Sequence, residues 1–258
     1  MDSCLPMAAF FDIDGTIAAN NEPPLERDVR AIRAFRAAGN RVFLCTGRSM
    51  GYLYDAVTNI GWDGIVAAAG AHITLGDEVL YRTCVQPTVL APLLERFERS
   101  DQNLIMETER AMIQLAACKD PWLVKNYPRI YNANEWHQRY GDEIVSKLTV
   151  YGFPVPDDVR ALLSEQLSLI EHPHYYEAVP RGCSKSAGMR RVLERIGIPR
   201  EQSLAFGDSA NDSDMLAFAG YSVAMGNAID DVKALADEVT LPHTDGGVAA
   251  VLERLLAR

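Results

Sequence analysis

Along the first part of the chain, apolar positions fall into two alternating rhythms. Residues 8–11, 41–45 and 64–68 are short apolar runs, the pattern of strands buried on both faces. Between them, residues 25–38 carry apolar side chains at helical spacing and stop at Gly39, and residues 49–60 read as a second helix. A β-α-β-α-β order predicts a parallel sheet with helices packed on its faces.

From about residue 71 to 180 the rhythm changes, with shorter and more polar strands. Residues 71–75 and 79–81, joined at Gly76-Asp77, read as a hairpin, and a helix begins near Pro87, a residue suited to a first turn. Residues 104–107 and 112–116 read as a strand pair, 146–151 as a strand, 157–167 as a helix and 175–179 as a strand. This is an α+β pattern, long enough to be a domain of its own. The first pattern then returns, with helices at 186–196, 212–219 and 248–256 and strands at 203–206 and 222–224. The economical architecture is one α/β core, residues 1–79 and 183–258, interrupted by an α+β insert at 80–182.

Composition narrows the class. The 258 residues are 48% hydrophobic, enough for a sizeable core. A net charge of −10 with scattered basic residues argues against a nucleic-acid surface. The five cysteines (Cys4, Cys45, Cys84, Cys118, Cys183) lack C-x-x-C spacing, which fits a reducing cytoplasm better than a disulfide framework or zinc site. The N-terminus reads as no signal peptide, and no apolar run reaches membrane-spanning length. Of the five histidines, only His172 and His174 are closely spaced; they read as a turn around Pro173. Trp122, Tyr127, Tyr131 and Trp136 read as core of the insert, with the lining of a substrate pocket as the alternative.

The chemistry gathers where the core strands end, the place where open α/β sheets bind ligands. The first strand runs into Asp12-Ile13-Asp14-Gly15-Thr16. In an extended segment both carboxylates project to the same side. Their repulsion and lost hydration need an offset, which a divalent cation supplies. Asp12 is then a candidate nucleophile and Asp14 a candidate proton donor. An Asp-Gly turn is the plainer alternative; a calcium loop fails, because Ile17 and Pro23 stand where it needs Gly and Glu. Thr46-Gly47-Arg48 offers a hydroxyl and a glycine amide to a phosphate oxygen, or merely a strand-to-helix turn. Lys185 stands at a helix N-terminus, where the dipole disfavours a cation; an anion in front of it would explain the exception, and a solvated lysine is the alternative. Gly207-Asp208-Ser209-Ala210-Asn211-Asp212 follows another strand. Asp208 is placed to complete a site for Mg²⁺ with Asp12 and Asp14, unless the segment is only a capped helix start.

In this order, the four elements D-x-D-G-T, T-G-R, Lys and G-D-x-x-N-D resemble the haloacid dehalogenase superfamily, and the α+β insert between the second and third resembles the C2 (type IIB) cap of its Cof-type members. Ala224-Met225-Gly226-Asn227-Ala228 and Asp245-Gly246-Gly247-Val248-Ala249 match that subfamily too. The chain departs from it at Ala69, where Asn is usual, and at Ser186, where Gly is usual. The resemblance implies a Rossmann-like three-layer core with an inserted cap domain and a Mg²⁺-dependent phosphatase acting on a small phosphorylated metabolite. It assigns Asp12 as nucleophile and Asp14 as general acid and base, with the Asp14 backbone carbonyl on the metal. Asp208 is the third protein ligand and Asp212 supports the metal shell. Thr46, Gly47, Lys185 and Asn211 hold the phosphate, and Arg48 and the cap shape the leaving-group pocket, with Glu177 a candidate substrate contact. An acid at position 14 fits ester chemistry, since related ATPases and dehalogenases, whose leaving groups need no proton, lack it. A phosphomutase and a non-catalytic regulatory protein are the competing functions. A cytoplasmic monomer or weak homodimer, with no nucleic-acid or membrane partner, is expected.

Overall fold

The computed structural model of the chain describes residues 6–100, 102–115, 127–152, 156–172 and 175–257. The chain opens with β1 (Ala8–Phe11), α1 (Glu26–Ala37), β2 (Arg41–Cys45), α2 (Asp55–Thr58), β3 (Gly64–Ala67), β4 (His72–Leu75) and β5 (Glu78–Arg82). It continues through α3 (Pro87–Phe97), β6 (Asn103–Thr108), β7 (Met112–Leu115), β8 (Arg129–Ile130), α4 (Ala133–Tyr140), β9 (Val145–Tyr151), α5 (Asp157–Gln166), β10 (Leu167–Glu171) and β11 (Tyr175–Pro180). It closes with α6 (Lys185–Ile196), β12 (Ser203–Gly207), α7 (Ser213–Phe218), β13 (Tyr221–Ala224), α8 (Asp230–Leu235), β14 (Glu238–Val239) and α9 (Gly247–Leu256). Two compact units result: Met1–Gly47, Leu53–Tyr81 and Ser184–Arg258 form the first, and Arg48–Tyr52 and Arg82–Cys183 the second.

The first unit is built on an eight-stranded sheet in the order β14-β13-β12-β1-β2-β3-β4-β5. The run from β14 to β3 is parallel, and β4 returns antiparallel beside β3. Strand alternation divides its side chains between two cores. Ala9, Phe11, Val42, Leu44, Leu204 and Phe206 pack with α1 and α9, while Ala8, Phe10, Phe43, Cys45 and Ala205 pack with α6 and α7. Burying each large apolar side chain contributes about 1.5–3 kcal/mol. Gly188 brings α6 onto β3: a Cβ there would lie 2.3 Å from Val66 Cγ1.

The second unit is a six-stranded sheet in the order β10-β11-β9-β6-β7-β8, mainly antiparallel, with a short parallel β7–β8 pair. Helices α3, α4 and α5 cover one face, where Leu93, Trp136 and Leu163 meet Leu104, Met106, Leu148, Val150 and Tyr176. Among the described residues no helix is long and apolar enough to cross a membrane.

Two segments differ from the sequence reading. Residues 49–60 are not one helix: a 3-10 turn at Met50–Tyr52 precedes an extended Tyr54 and the short α2. At Gly51 a Cβ would lie 2.3 Å from the Ala111 backbone nitrogen, so this turn is fixed by a close backbone approach that helical periodicity does not encode. Helix α5 ends at Gln166, and Leu167 starts strand β10 without a loop, because Leu167 to Glu171 pair with Pro180 to Tyr176. Trp136 joins the helix-covered core, Tyr131 is exposed, and Tyr127 packs with Tyr52, Tyr151, Ile105 and Met112 elsewhere in the second unit. Cys45 and Cys84 are free thiols. The readings for Cys4, Cys118, Trp122 and the turn at 173–174 lie outside the described residues.

One buried acid in the first unit has a measurable consequence. Asp28 Oδ1 accepts a 2.7 Å hydrogen bond from the Ala249 backbone N–H in the first turn of α9, while Oδ2 is buried without a partner. Burial raises the Asp28 carboxyl to about 6, although the Ala249 bond opposes it. The unfolded chain therefore ionises first, and stability falls as pH rises from about 4 to 6, then levels off. We expect Asp28→Asn to flatten that slope and to raise stability at pH 8 by about 1–3 kcal/mol, measured by urea unfolding across pH.

Candidate active site

In the first unit's sheet, β12, β1, β2 and β3 are parallel neighbours, so their C-terminal ends lie side by side. Asp12 follows β1, Thr46 and Gly47 follow β2, and Asp208 follows β12. The strand ladder continues into these ends: Asp12 N–H donates to the Phe206 carbonyl (3.1 Å), and Thr46 N–H to the Val66 carbonyl (2.8 Å). Asp12 and Thr46 are thereby held by sheet geometry and are buried.

Lys185 arrives from the helix side. Ser184 caps α6, its Oγ accepting from Ala187 N–H, and Lys185 is the first helical residue. A Cβ on Gly70, whose φ is +87°, would lie 2.4 Å from the Ser184 carbonyl, so glycine permits the close packing that seats this helix start. Ser186 N–H donates to Asp214 Oδ2 (2.9 Å), a carboxylate where the helix dipole favours one. The Lys185 ammonium is 2% exposed and donates to Asp12 Oδ1 at 2.6 Å and Asp212 Oδ1 at 2.5 Å. Anions in front of a helix-terminal lysine thus exist, and they are the protein's own carboxylates.

Asp212 connects the cation to the β12 loop. Its Oδ2 accepts from the backbone N–H groups of Asp208 (3.0 Å) and Ser209 (3.1 Å). With the Ser209 hydroxyl this forms a capping box over Ala210–Asp212. Gly207 makes room: a Cβ there would lie 2.5 Å from Asp212 Cβ. Gly15, at φ +86°, does the same on the other side, since its Cβ would fall 2.1 Å from Asp208 Oδ2.

Burial and mutual repulsion dominate the electrostatics. Burial, then the Asp212 charge, push the Asp12 carboxyl well above the usual range against the pull of Lys185. Burial and Asp212 likewise raise Asp208 to about 7. For Lys185, burial alone would favour the neutral amine, but the Asp12 and Asp212 charges outweigh it and keep the ammonium. Burial raises the nearby Cys45 thiol, which stays protonated as a small core residue, its Sγ 3.9 Å from the Lys185 carbonyl.

Carboxylate oxygens of Asp12, Asp208 and Asp212 come within 4.8 Å of one another, and Asp208 Oδ1 is buried without a hydrogen-bond partner. Hard oxygen donors with unmet charge suit a divalent cation such as Mg²⁺. β1 ends at Phe11, and Asp14 lies exposed on the loop that follows, bridged to Ala18; it is not one of the three clustered carboxylates, but its charge adds to the rise at both Asp12 and Asp208. Asn211 sits in the same loop as Asp212, its Oδ1 accepting from Ser209 Oγ (2.8 Å).

Arg48 and Glu177 belong to the second unit. The Arg48 guanidinium lies 4.3 Å from the Tyr52 ring centroid, and Glu177 is buried in an ion pair with Lys147. Asn227, which the sequence shows only as part of a matching segment, has a defined place. Its Nδ2 donates to the Gly15 carbonyl (2.8 Å) and its Oδ1 accepts from His243 N–H (2.9 Å), so it fixes the loop carrying Asp14. The signal was available: Gly226-Asn227 follows another core strand end.

A family model described as haloacid dehalogenase-like hydrolase matches residues 9–252. The putative phosphatase YkrA of Bacillus subtilis is 26% identical over 260 residues, covering 99% of this chain and 98% of that protein. The 5-amino-6-(5-phospho-D-ribitylamino)uracil phosphatase YitU of the same organism is 26% identical, covering 96% and 97%. A hypothetical protein of Geobacillus kaustophilus superposes with a TM-score of 0.83 at 25% identity, covering 98% of this chain and all of that one. The subclass IIB sugar phosphatase BT4131 shares the fold, with a TM-score of 0.79 at 24% identity over 98% of this chain and all of that one.

Replacing the buried cation tests the electrostatics. Lys185→Met leaves Asp12 and Asp212 buried without their counter-charge, and we expect a loss of about 3–5 kcal/mol at pH 8 in metal-free buffer. Protons can replace the lysine at Asp12 in acid, so the loss shrinks toward pH 5. Urea unfolding at both pH values measures it.

Proposed function

The chain belongs to the haloacid dehalogenase-like hydrolases and is a phosphoric monoester hydrolase, and from that premise we propose that it cleaves small phosphorylated metabolites, with sugar phosphates the leading class, through a phosphoryl group carried on Asp12. One observation carries the proposal: Asp12 stands at the end of β1, paired with a buried ammonium and within 4.8 Å of two further carboxylates. The phosphatase names of the full-length relatives support the reaction class.

The chain's own residues supply the steps. Asp12 attacks phosphorus in line, forming an acyl phosphate as the bond to the leaving oxygen breaks. Asp14, exposed on its loop, gives a proton to that oxygen. It then takes a proton from water, which attacks phosphorus and frees the Asp12 carboxylate. Thr46, Gly47, Asn211 and Lys185 hold the phosphoryl oxygens, Lys185 supplying positive charge where negative charge accumulates. Asp12, Asp208 and the Asp14 carbonyl, backed by Asp212, are proposed to hold Mg²⁺, which would supply charge neutralisation between phosphate and carboxylates. Arg48 and Glu177 are proposed to contact the leaving group.

Phosphate release from a panel of sugar phosphates, with Mg²⁺ and with chelator, tests the proposal. We expect turnover only with metal, and a loss of at least about 10³-fold in kcat for Asp12→Asn. Asp14→Asn is expected to slow sugar phosphates by about 10²–10⁴-fold and para-nitrophenyl phosphate much less, because nitrophenolate leaves without a proton. Activity surviving in Asp12→Asn would overturn the nucleophile. Turnover that depends on an added sugar bisphosphate would favour a mutase.

A further inference from the structure

Helix α6 begins at Lys185 in the candidate active site. Its other end, about 15 Å further along at a rise of about 1.5 Å per residue, borders a cavity of a different kind. The cavity has a volume of about 380 Å³, within the range of small-molecule pockets. Leu193, Ile198, Pro199 and Phe218 give it apolar walls, and Arg190 and Arg200 complete the lining. All of these residues belong to the first unit.

The backbone around the cavity is tied down. Gly197 ends α6 in the left-handed region at φ +70°, and Ile198 N–H returns to the Leu193 carbonyl (3.2 Å). The 3-10 turn at Arg200–Gln202 is anchored next to the end of α7. Ser203 Oγ donates to the Arg200 carbonyl (2.6 Å) and accepts from Gly220 N–H (3.0 Å). A Cβ on Gly220 would lie 2.5 Å from the same carbonyl, so glycine permits this approach.

Two arginines share one ring. The guanidinium carbons of Arg190 and Arg200 lie 4.7 and 5.6 Å from the Phe218 centroid. Arg200 Nε donates to the Phe218 carbonyl (2.5 Å), which fixes the fork and leaves its terminal N–H groups available. Among the described residues neither guanidinium forms an ion pair, although the chain carries a net charge of −10. Arg27, Arg36, Arg195 and Arg254, by contrast, each pair with a carboxylate. Like charges gathered on one ring repel each other, and the ring's attraction offsets only part of that cost. An anion between them offsets the rest.

We propose that this cavity binds a small organic carboxylate with a flat apolar body. Arg190 and Arg200 hold the carboxylate, whose two oxygens match a guanidinium fork, and Leu193, Ile198 and Pro199 receive the body. Glu194 also lines the cavity and cancels the charge of one arginine, which favours a monoanion over a doubly charged phosphate. The ligand class therefore differs from phosphate esters, and the inference stands apart from the phosphatase reading.

The test titrates 1-naphthoate into the full-length protein and follows amide shifts by NMR, with calorimetry for affinity. We expect shifts centred on Gly197, Arg200 and Phe218, with a Kd of about 1 mM or tighter. Inorganic phosphate should not compete. Arg190→Gln should weaken binding about tenfold, and Arg190→Lys, which keeps the charge but loses the fork, should fall between. Glu194→Gln should tighten binding about threefold, an effect that mere stickiness of the apolar walls would not produce. Arg190 and Glu194 are exposed, so all three variants should melt close to wild type. No binding up to about 10 mM, shifts centred instead on Asp12 and Gly207, or equal affinity for uncharged 1-naphthylmethanol would each overturn the inference. So would an affinity unchanged by Arg190→Gln.

Discussion

The ion pairs from the Lys185 ammonium to Asp12 and Asp212 are the interaction on which the first unit's site depends. They join residues 173 and 27 positions from the lysine. Three charges this deeply buried are costly to desolvate, and only close mutual pairing offsets the cost. The end of β1, the loop after β12 and the first turn of α6 must therefore arrive in register. The glycines show how the backbone meets that demand: Gly15, Gly70 and Gly207 each stand where a Cβ would strike another part of the site. The packing that stabilises the sheet also positions its chemistry, because the ladder bonds at Asp12 and Thr46 extend into the residues that carry it.

The charge balance has a functional side. Asp212 is held by Lys185 through one oxygen and by two backbone N–H groups through the other, so it is a structural anion. Asp208 is different, with one buried oxygen unpartnered and its carboxyl raised to about 7. Two acids in one loop thus differ by environment: one is satisfied by the fold, and the other keeps an unmet demand of the kind a divalent cation would meet. The second unit repeats the division on the sheet face opposite its helices. Lys147 and Glu177 satisfy each other, whereas Gln114 and one oxygen of Glu107 do not.

Much of this was legible in the sequence, because buried parallel strands write themselves as unbroken apolar runs and their ends are where polar residues begin. The placement of Asp12, Thr46 and Asp208 at strand ends follows from that pattern. Lys185 stood out as a cation at a helix end that prefers anions, although the sequence could not show that its partners are Asp12 and Asp212. Asp14 stands beyond the strand end at Phe11, where alternation no longer fixes the direction of a side chain. The turn at Met50–Tyr52 was missed because a close backbone approach at Gly51, not side-chain periodicity, defines it. Strand β10 was missed because it follows α5 without a loop, leaving no punctuation to read. Ala69 shows the cost of one departure from the family pattern: it adopts φ +49°, which Asn tolerates better than Ala. The polar sheet face lay beyond sequence reasoning, since only the register aligns Gln114, Glu107, Lys147 and Glu177 across four strands.

The central claim is that Asp12 takes the phosphoryl group before water does. The most direct measurement is the stereochemical course of hydrolysis for a substrate made chiral at phosphorus with oxygen isotopes and sulfur. Two successive in-line displacements, one by Asp12 and one by water, give net retention of configuration, and that is the predicted result. Net inversion would mean a single direct attack by water and would contradict the account.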